Sequence, residues 1–366
     1  MTAARWAWRN VWVQTAALML LVLLALTLVW WRGPDWERVF DAFRFVIWSW
    51  IVLALALNIL STLFRALSWR LTIGQALPAE HQPRLIHVFS SFGVGLFANA
   101  ALPGRLGELA RVATLRRHLP DAPPGTTAIL VGTVFAHRLF DLVPATFLVI
   151  WVLLAAEVPH WAVVTLLIAV MVGFALFTVA WLGARRHHMS VVSEGMGSAR
   201  HLLAMARQGL SVLKAPVPLA GAIVFQCLGW ALQLLAVYVA MQAFSIDAPL
   251  PAAGLVLVLM NVATIVPLWP GNVGLVQAAV ALPLRNYGVA YSTGFAYGLA
   301  LQALEMACGV GLGLLALARE GLSLAMLRRM QDEEDSAEDV LEGVHEMVEE
   351  LEPEPEAARE GAPVPR

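Results

Sequence analysis

Apolar runs bounded by arginine, tryptophan or proline set the pattern of this chain. Val11–Trp31, Phe45–Phe64, Thr126–Ala156, Trp161–Leu182, Leu219–Ala240 and Val289–Ala318 each approach or exceed the ~20 apolar residues that a helix needs to cross a bilayer. Two further runs are broken. Ile86–Leu102 stops at Pro103-Gly104 and resumes as the amphipathic stretch Arg105–Arg117. Pro251–Trp269 stops at Pro270-Gly271 and resumes as Val273–Leu284. Neither second arm is long enough to cross, and the first carries Arg105, Arg111, Arg116 and Arg117. Pro-Gly-x-x-Gly therefore occurs twice, 167 residues apart, each time inside an apolar segment.

Composition agrees with a polytopic membrane protein. Of 366 residues, 59% are hydrophobic and 14% charged, against about 25% charged in ordinary soluble domains. Cys227 and Cys308 lie in apolar runs and read as packing residues. The first run is too long for the core of a signal peptide and ends in Trp30-Trp31, so it reads as an uncleaved span. The loop 32–44 after it is short and mixed in charge, and Arg65 and Arg70 follow the second span.

Charge decides the topology. Residues 1–330 hold 22 Lys/Arg and 12 Asp/Glu. If the broken runs turn back as re-entrant hairpins, 17 of those basic residues face the cytoplasm and four (Arg32, Arg38, Arg44, Arg285) face outward. A single crossing at 86–102 would instead put both basic clusters outside, against the positive-inside bias. The expected fold is all-α: six full transmembrane helices plus two Pro-Gly-broken re-entrant hairpins in an inverted repeat, with both termini cytoplasmic. The first repeat is 1–157. The second, inverted repeat is 158–320 and includes a basic cytoplasmic loop, 183–215, with a surface helix around Leu202–Leu213. Transporters built this way hold their sites near the midplane, between the repeats.

Candidate chemistry follows from that arrangement. A Pro-Gly break frees backbone groups, and the helix that begins after it presents amides and a positive dipole end to an anion. Arg105 adds a formal charge beside Gly104, with Asn99 before the break and Glu108 and Arg111 after it. A lipid headgroup site is expected from Asn99, Gly104, Arg105, Glu108 and Arg111, with Arg65 and Arg70 nearby. The alternative is a kink in which Glu108 pairs with Arg111. Arg138, Asp141 and Glu305 fall near the middle of their spans, where a charge costs about 2.5–3.5 kcal/mol on insertion scales. Arg138 stands 34 residues after Gly104, and Glu305 stands 34 after Gly271, so the two are expected to approach across the repeat axis. With His137 as an aqueous-facing neighbour, they form either a transport network or a structural one that holds the halves in register. The second hairpin, with Pro270, Gly271, Asn272, Gly274 and Gln277, is neutral.

Other signals carry less. Gly93-Val-Gly95 and Gly309-x-Gly311-x-Gly313 lack any strand context and read as close helix packing. His187-His188 is a solvated basic loop facing lipid, not a metal site. No catalytic cluster, metal site, cofactor site or nucleic-acid signature is found. Residues 331–366 hold 14 acids and two arginines. The cytoplasmic tail 321–366 reads as disordered, and a protein partner docking there is the alternative.

These residues resemble a known family. Arg65…Trp69-Arg70, Leu102-Pro-Gly-Arg-Leu-Gly-Glu108-x-x-Arg111, His137-Arg138-x-x-Asp141 and Pro270-Gly271-x-x-Gly274 are similar to the flippase-like proteins related to the transmembrane half of lysylphosphatidylglycerol synthases. The resemblance covers roughly residues 50–320. It implies a bacterial inner-membrane protein that moves, or helps move, an anionic or modified lipid across the bilayer. The chain departs from that pattern at His137 and Gln277, where the family usually shows acids, and near Glu305, where it tends to have a basic residue. An acidic tail stands here where the synthases carry their soluble domain, so synthase activity is not expected. The competing classes are a membrane enzyme acting on a lipid phosphate, a channel of two opposed half-helices, and a non-transporting partner in envelope biogenesis.

Overall fold

The computed structural model describes residue 19 and residues 34–101, 107–123, 125–185, 211–264 and 272–320. Nearly all of the expected first span, the tips Pro103-Gly104-Arg105 and Pro270-Gly271, most of the loop 183–215 and the tail 321–366 lie outside the described residues. Met1–Ala316 is one compact unit, and Leu317–Arg366 is a second, of which only the end of the last helix is described.

The described residues are helical, without a strand among them. The helices are α1 (Trp36–Arg44), α2 (Trp48–Ala76), α3 (Leu85–Ala101), α4 (Gly107–Arg117), α5 (Thr126–Ala155), α6 (His160–Arg185), α7 (Pro216–Ala243), α8 (Leu250–Ala263), α9 (Leu275–Leu284) and α10 (Tyr291–Glu320). Four of them, α2, α5, α7 and α10, are long and apolar enough to cross a membrane. At 1.5 Å per residue α4 and α9 reach only about 15–17 Å, roughly half of a ~30 Å hydrocarbon core.

Local chemistry sets the boundaries. Proline occupies the first turn of α7 (Pro216) and of α8 (Pro251), where its missing N–H is harmless. α5 starts after Gly125, at φ +86°, and α2 ends at Ala76, two residues before Pro78. Two sequence expectations need correction. The stretch 32–44 is not simply a loop. Asp35 caps the nine-residue helix α1 by accepting from the Arg38 N–H, and Trp36 and Phe43 pack edge-on against Phe295 and Phe244. Arg65 and Arg70 do not follow the second span but belong to it, because nothing between Trp48 and Ala76 breaks the helix.

α2 and α7 run antiparallel through the centre of the unit. Ser61 Oγ donates to the Gly229 carbonyl at 2.7 Å, and Ser68 Oγ to the Ala222 carbonyl at 2.8 Å. The absence of a side chain at Gly229 lets Arg65 lie across α7 there.

α3 and α4 form an antiparallel helical hairpin that closes toward the break. The rings of His87 and His118 meet at its open end, with centroids 4.0 Å apart. Arg111 lies over Phe92, 5.3 Å from its ring centre. Gly95 and Gly107 then touch backbone to backbone, and the Gly107 N–H donates to Asn99 Oδ1 at 2.9 Å. The second break is bridged from its other side: Asn272 Nδ2 donates to the Ala263 carbonyl at 2.8 Å. Asn272 (φ +45°) and Gly274 (φ +94°) take the positive-φ backbone that this turn requires, tolerated by asparagine and glycine.

Gly93, Gly95, Gly309 and Gly313 of the two stripes singled out in the sequence are packing positions, whereas Gly311 faces open space. A Cβ at Gly93 would stand 3.1 Å from the Leu312 carbonyl oxygen, and Gly313 faces Phe97. In the same manner α8 packs on α5, where a Cβ at Gly254 would stand 2.8 Å from Val152. Thus α3 packs on α10 and α8 on α5, while α4 and α9 each pack on the long helix that follows: α4 on α5, and α9 on α10 through Gln277 and Gln302.

One hydrogen-bonded latch joins the α5–α6 turn to the turn after α9. The Glu157 N–H donates to the Tyr287 hydroxyl at 2.7 Å, and Asn286 Nδ2 donates to the Glu157 carbonyl at 3.3 Å. Tyr287→Phe removes one acceptor at an exposed site and is expected to lower stability by no more than about 1 kcal/mol. Thermal unfolding of the purified protein checks this.

Candidate functional site

Four charged side chains from two helices form an alternating chain. Arg111 Nη2 stands 3.0 Å from Glu108 Oε2, Glu108 Oε1 accepts from Arg138 Nη2, and Arg138 Nη1 reaches Asp141 Oδ2 at 3.3 Å. Helical spacing explains two of the links, since Glu108/Arg111 and Arg138/Asp141 are each three residues apart. The third link is tertiary. It ties the first turn of α4 to a point close to the middle of α5.

The α7 side closes the chain. Asp141 Oδ1 accepts from Trp230 Nε1 at 2.8 Å and from Gln226 Nε2. A second, looser set lies alongside. Arg65 Nη2 donates to Gln233 Oε1 at 2.5 Å, Gln233 Nε2 donates to Glu305 Oε1 at 3.5 Å, and the Arg65 guanidinium lies over the Trp230 ring at 5.4 Å. Five helices (α2, α4, α5, α7 and α10) therefore contribute to one connected polar cluster.

Exposure separates the roles. The Arg111 side chain is 3% exposed and sandwiched by Trp69 (4.7 Å) and Phe92 (5.3 Å), a cation–π setting that fixes it in place. The Arg138 side chain is 47% exposed, although both of its carboxylate partners are more covered. Arg138 is thus the cation of the four-membered chain that a ligand can reach.

The expected site residues fare differently. Glu108, Arg111, Arg138 and Asp141 come together, with Arg65 and Glu305 beside them. Glu305 does not approach Arg138, contrary to expectation. Arg138 is held by Glu108 and Asp141, and Glu305 sits at the Gln233 amide opposite Arg65. Asn99 uses its side-chain oxygen on Gly107, and Arg70 is exposed. His137 is not an aqueous neighbour. It is fully buried, edge-on to Phe92, with Nδ1 lacking a hydrogen-bond partner. In the second hairpin, Gln277 Oε1 accepts from the Gly274 N–H at 2.5 Å, and its amide nitrogen donates to Gln302 at 2.5 Å. Gly104, Arg105, Pro270 and Gly271 lie outside the described residues.

Sequence reasoning missed Gln226, Trp230 and Gln233. The signal was available. They interrupt an apolar run at helical spacing and share one face of α7. Amides carry no formal charge, so a search for intramembrane ions passes over them.

Long apolar helices around a buried ionic cluster define an all-helical integral membrane protein with a polar interior site. The chain belongs to the family of lysylphosphatidylglycerol synthase transmembrane regions, whose model matches residues 13–313. That membership relates it to membrane proteins of lipid modification and transport. No curated protein and no solved structure matches the chain.

Proposed function

We propose that the protein is a lipid flippase of the bacterial inner membrane, moving an anionic or modified phospholipid whose headgroup passes between two hairpin tips. In this reading six helices span the bilayer, two re-entrant hairpins meet from opposite sides, and both termini are cytoplasmic. The two membrane repeats are 1–157 and 158–320, followed by the acidic tail 321–366. The protein transports; it does not catalyse a reaction.

The observation that carries the reading is the Glu108–Arg138 pair. It joins the first turn after one Pro-Gly break to the middle of a membrane-length helix, and its arginine is half open. A charged group at that depth needs a wet cavity or an ionic ligand. Gln277–Gln302 makes the corresponding join for the second hairpin, again near the middle of a long helix.

Inversion has support of its own. Ser61–Gly229 and Arg65–Gln233 are each 168 residues apart, close to the 167 between the two Pro-Gly motifs. Equivalent positions of two inverted halves meet only near the axis that relates them. The exchanged packing of α3 on α10 and α8 on α5 fits the same axis.

The test is lipid exposure in proteoliposomes, using a phosphatidylglycerol with a fluorophore on one acyl chain and an impermeant quencher outside. Wild-type protein is expected to expose inner-leaflet probe. Arg138→Ala and Arg105→Ala are expected to fall to the rate of protein-free vesicles while eluting as folded protein. Wild-type vesicles no faster than empty ones would overturn the transport reading, and unchanged rates in both variants would overturn the site.

A further inference from the structure

We propose that Glu305 is a proton-binding site, and that its occupancy is coupled through the Gln233 amide to the binding of a phosphate-type anion at Arg65. The inference deepens the flippase reading by naming what accompanies the lipid, and it rests on that reading for the identity of the anion.

Glu305 stands at the midpoint of α10. Among the described residues no Lys or Arg nitrogen comes within 4.0 Å of its carboxylate, and its hydrogen bond is the 3.5 Å contact from Gln233 Nε2. The elements packed around it supply few charges. From α2 comes Arg65, along with Thr62, whose hydroxyl meets the Cys308 thiol one turn beyond Glu305 at 3.9 Å. From α7 come Gln233 and Trp230. At its glycines α10 meets Leu96, Phe97 and Gly93 of α3 and Gln277, Val280 and Ala281 of α9, and Trp36 of α1 stands against Phe295. Asp141 of α5 is the strongest charge acting on Arg65, ahead of Arg138 and of Glu305. Asp141 and Arg138 belong to the chain Arg111–Glu108–Arg138–Asp141, which carries two charges of each sign and is neutral as a whole.

The remaining balance involves two groups. Arg65 and Glu305 offset each other at a distance, one on the oxygen of the Gln233 amide and the other on its nitrogen. Neither is satisfied: Arg65 Nε is buried without a hydrogen-bond partner, and Glu305 has no direct cation. A proton arriving from water on the Glu305 carboxylate removes one negative charge, so the cluster of three arginines and three carboxylates carries one net positive charge, with the free Arg65 N–H as its unpaired donor. An anion on Arg65 restores neutrality. Each of the two ligands therefore favours the other, because a site of low polarity resists a net charge. Both the empty site and the doubly loaded site are neutral. The singly loaded ones are not. Reciprocity requires that a bound anion tighten proton binding by the same factor that a bound proton tightens anion binding.

The experiment uses the full-length protein in detergent micelles, titrated with dihexanoylphosphatidylglycerol and, separately, with inorganic phosphate. Affinity is read by isothermal titration calorimetry, and proton uptake by a soluble pH indicator. Wild-type protein is expected to take up protons as the short-chain lipid binds, with affinity falling about fivefold or more between about pH 6 and 9. Glu305→Gln is expected to hold the low-pH affinity across that range and to take up no proton. Binding by wild type without proton uptake, a wild-type pH dependence retained in Glu305→Gln, or no binding at any pH would overturn the proposal. Proton counting on the unmodified protein decides the matter even if the variant fails to fold. Proton-linked binding of inorganic phosphate that is lost in Glu305→Gln, without binding of the short-chain lipid, would keep the coupling and assign the site to a soluble anion. Vesicle exposure of the fluorescent lipid fails independently. Exposure without proton uptake overturns the coupling alone, and proton-linked binding without exposure overturns transport alone.

Discussion

Asp141→Leu is expected to destabilise the protein by about 1–3 kcal/mol, the scale for leaving buried donors without their acceptor. The carboxylate accepts from Arg138, Trp230 and Gln226 at once, and so joins α5 to α7. Leucine fills similar space but strands all three donors. Gln226 is fully buried and Trp230 partly so, and water cannot replace the lost acceptor for the former. Arg138 keeps Glu108, so the remaining chain has two arginines against one carboxylate. Asp141→Asn separates the two losses. Its amide oxygen can still accept from α7, but it no longer balances Arg138, so a smaller loss is expected. Thermal unfolding in one detergent ranks wild type, Asn and Leu in that order. Equal stability of Leu and wild type would show that the cluster does not hold the helices together.

Gly107→Ala is the second large effect, and its cause is steric. A Cβ at Gly107 would overlap the Gly95 carbonyl oxygen and come within 2.5 Å of the Asn99 side chain. The Gly95 atom is backbone, so α3 and α4 have to move apart, with an overpacking cost of about 1–3 kcal/mol. The same shift breaks the Gly107–Asn99 hydrogen bond and carries Glu108, the next residue, away from Arg138. Lipid exposure in proteoliposomes is therefore expected to fall further than stability does. Asn99→Ala is the control: it removes the same hydrogen bond without separating the backbones. A Gly107→Ala protein with wild-type exposure would refute the hairpin geometry as the support of the site.

The sequence alone determined the class of this chain. Apolar runs of membrane length, Arg-rich boundaries and two Pro-Gly breaks specify a polytopic helical protein, because hydrophobic length and the positive-inside bias act along the chain and need no partner. It also singled out Glu108, Arg111, Arg138 and Asp141, since an ion inside an apolar helix stands out in composition, and their spacing of three residues predicts the local pairs. Helix ends were less legible: α2 continues past Arg65 and Arg70 because long basic side chains can lie along a helix that a hydropathy reading ends at the first charge.

Only the tertiary structure decided which charges meet. Arg138 faces Glu108 rather than Glu305, because close contact of Gly95 with Gly107 brings the first turn of α4 against α5. Glu305 instead faces Arg65 across an amide that carries no charge and drew no notice in the sequence. Partner choice in a membrane interior depends on which helices their small residues allow to approach. That information is spread over Gly95, Gly107, Gly229 and Gly254, whose effect exists only once their opposing surfaces are in place.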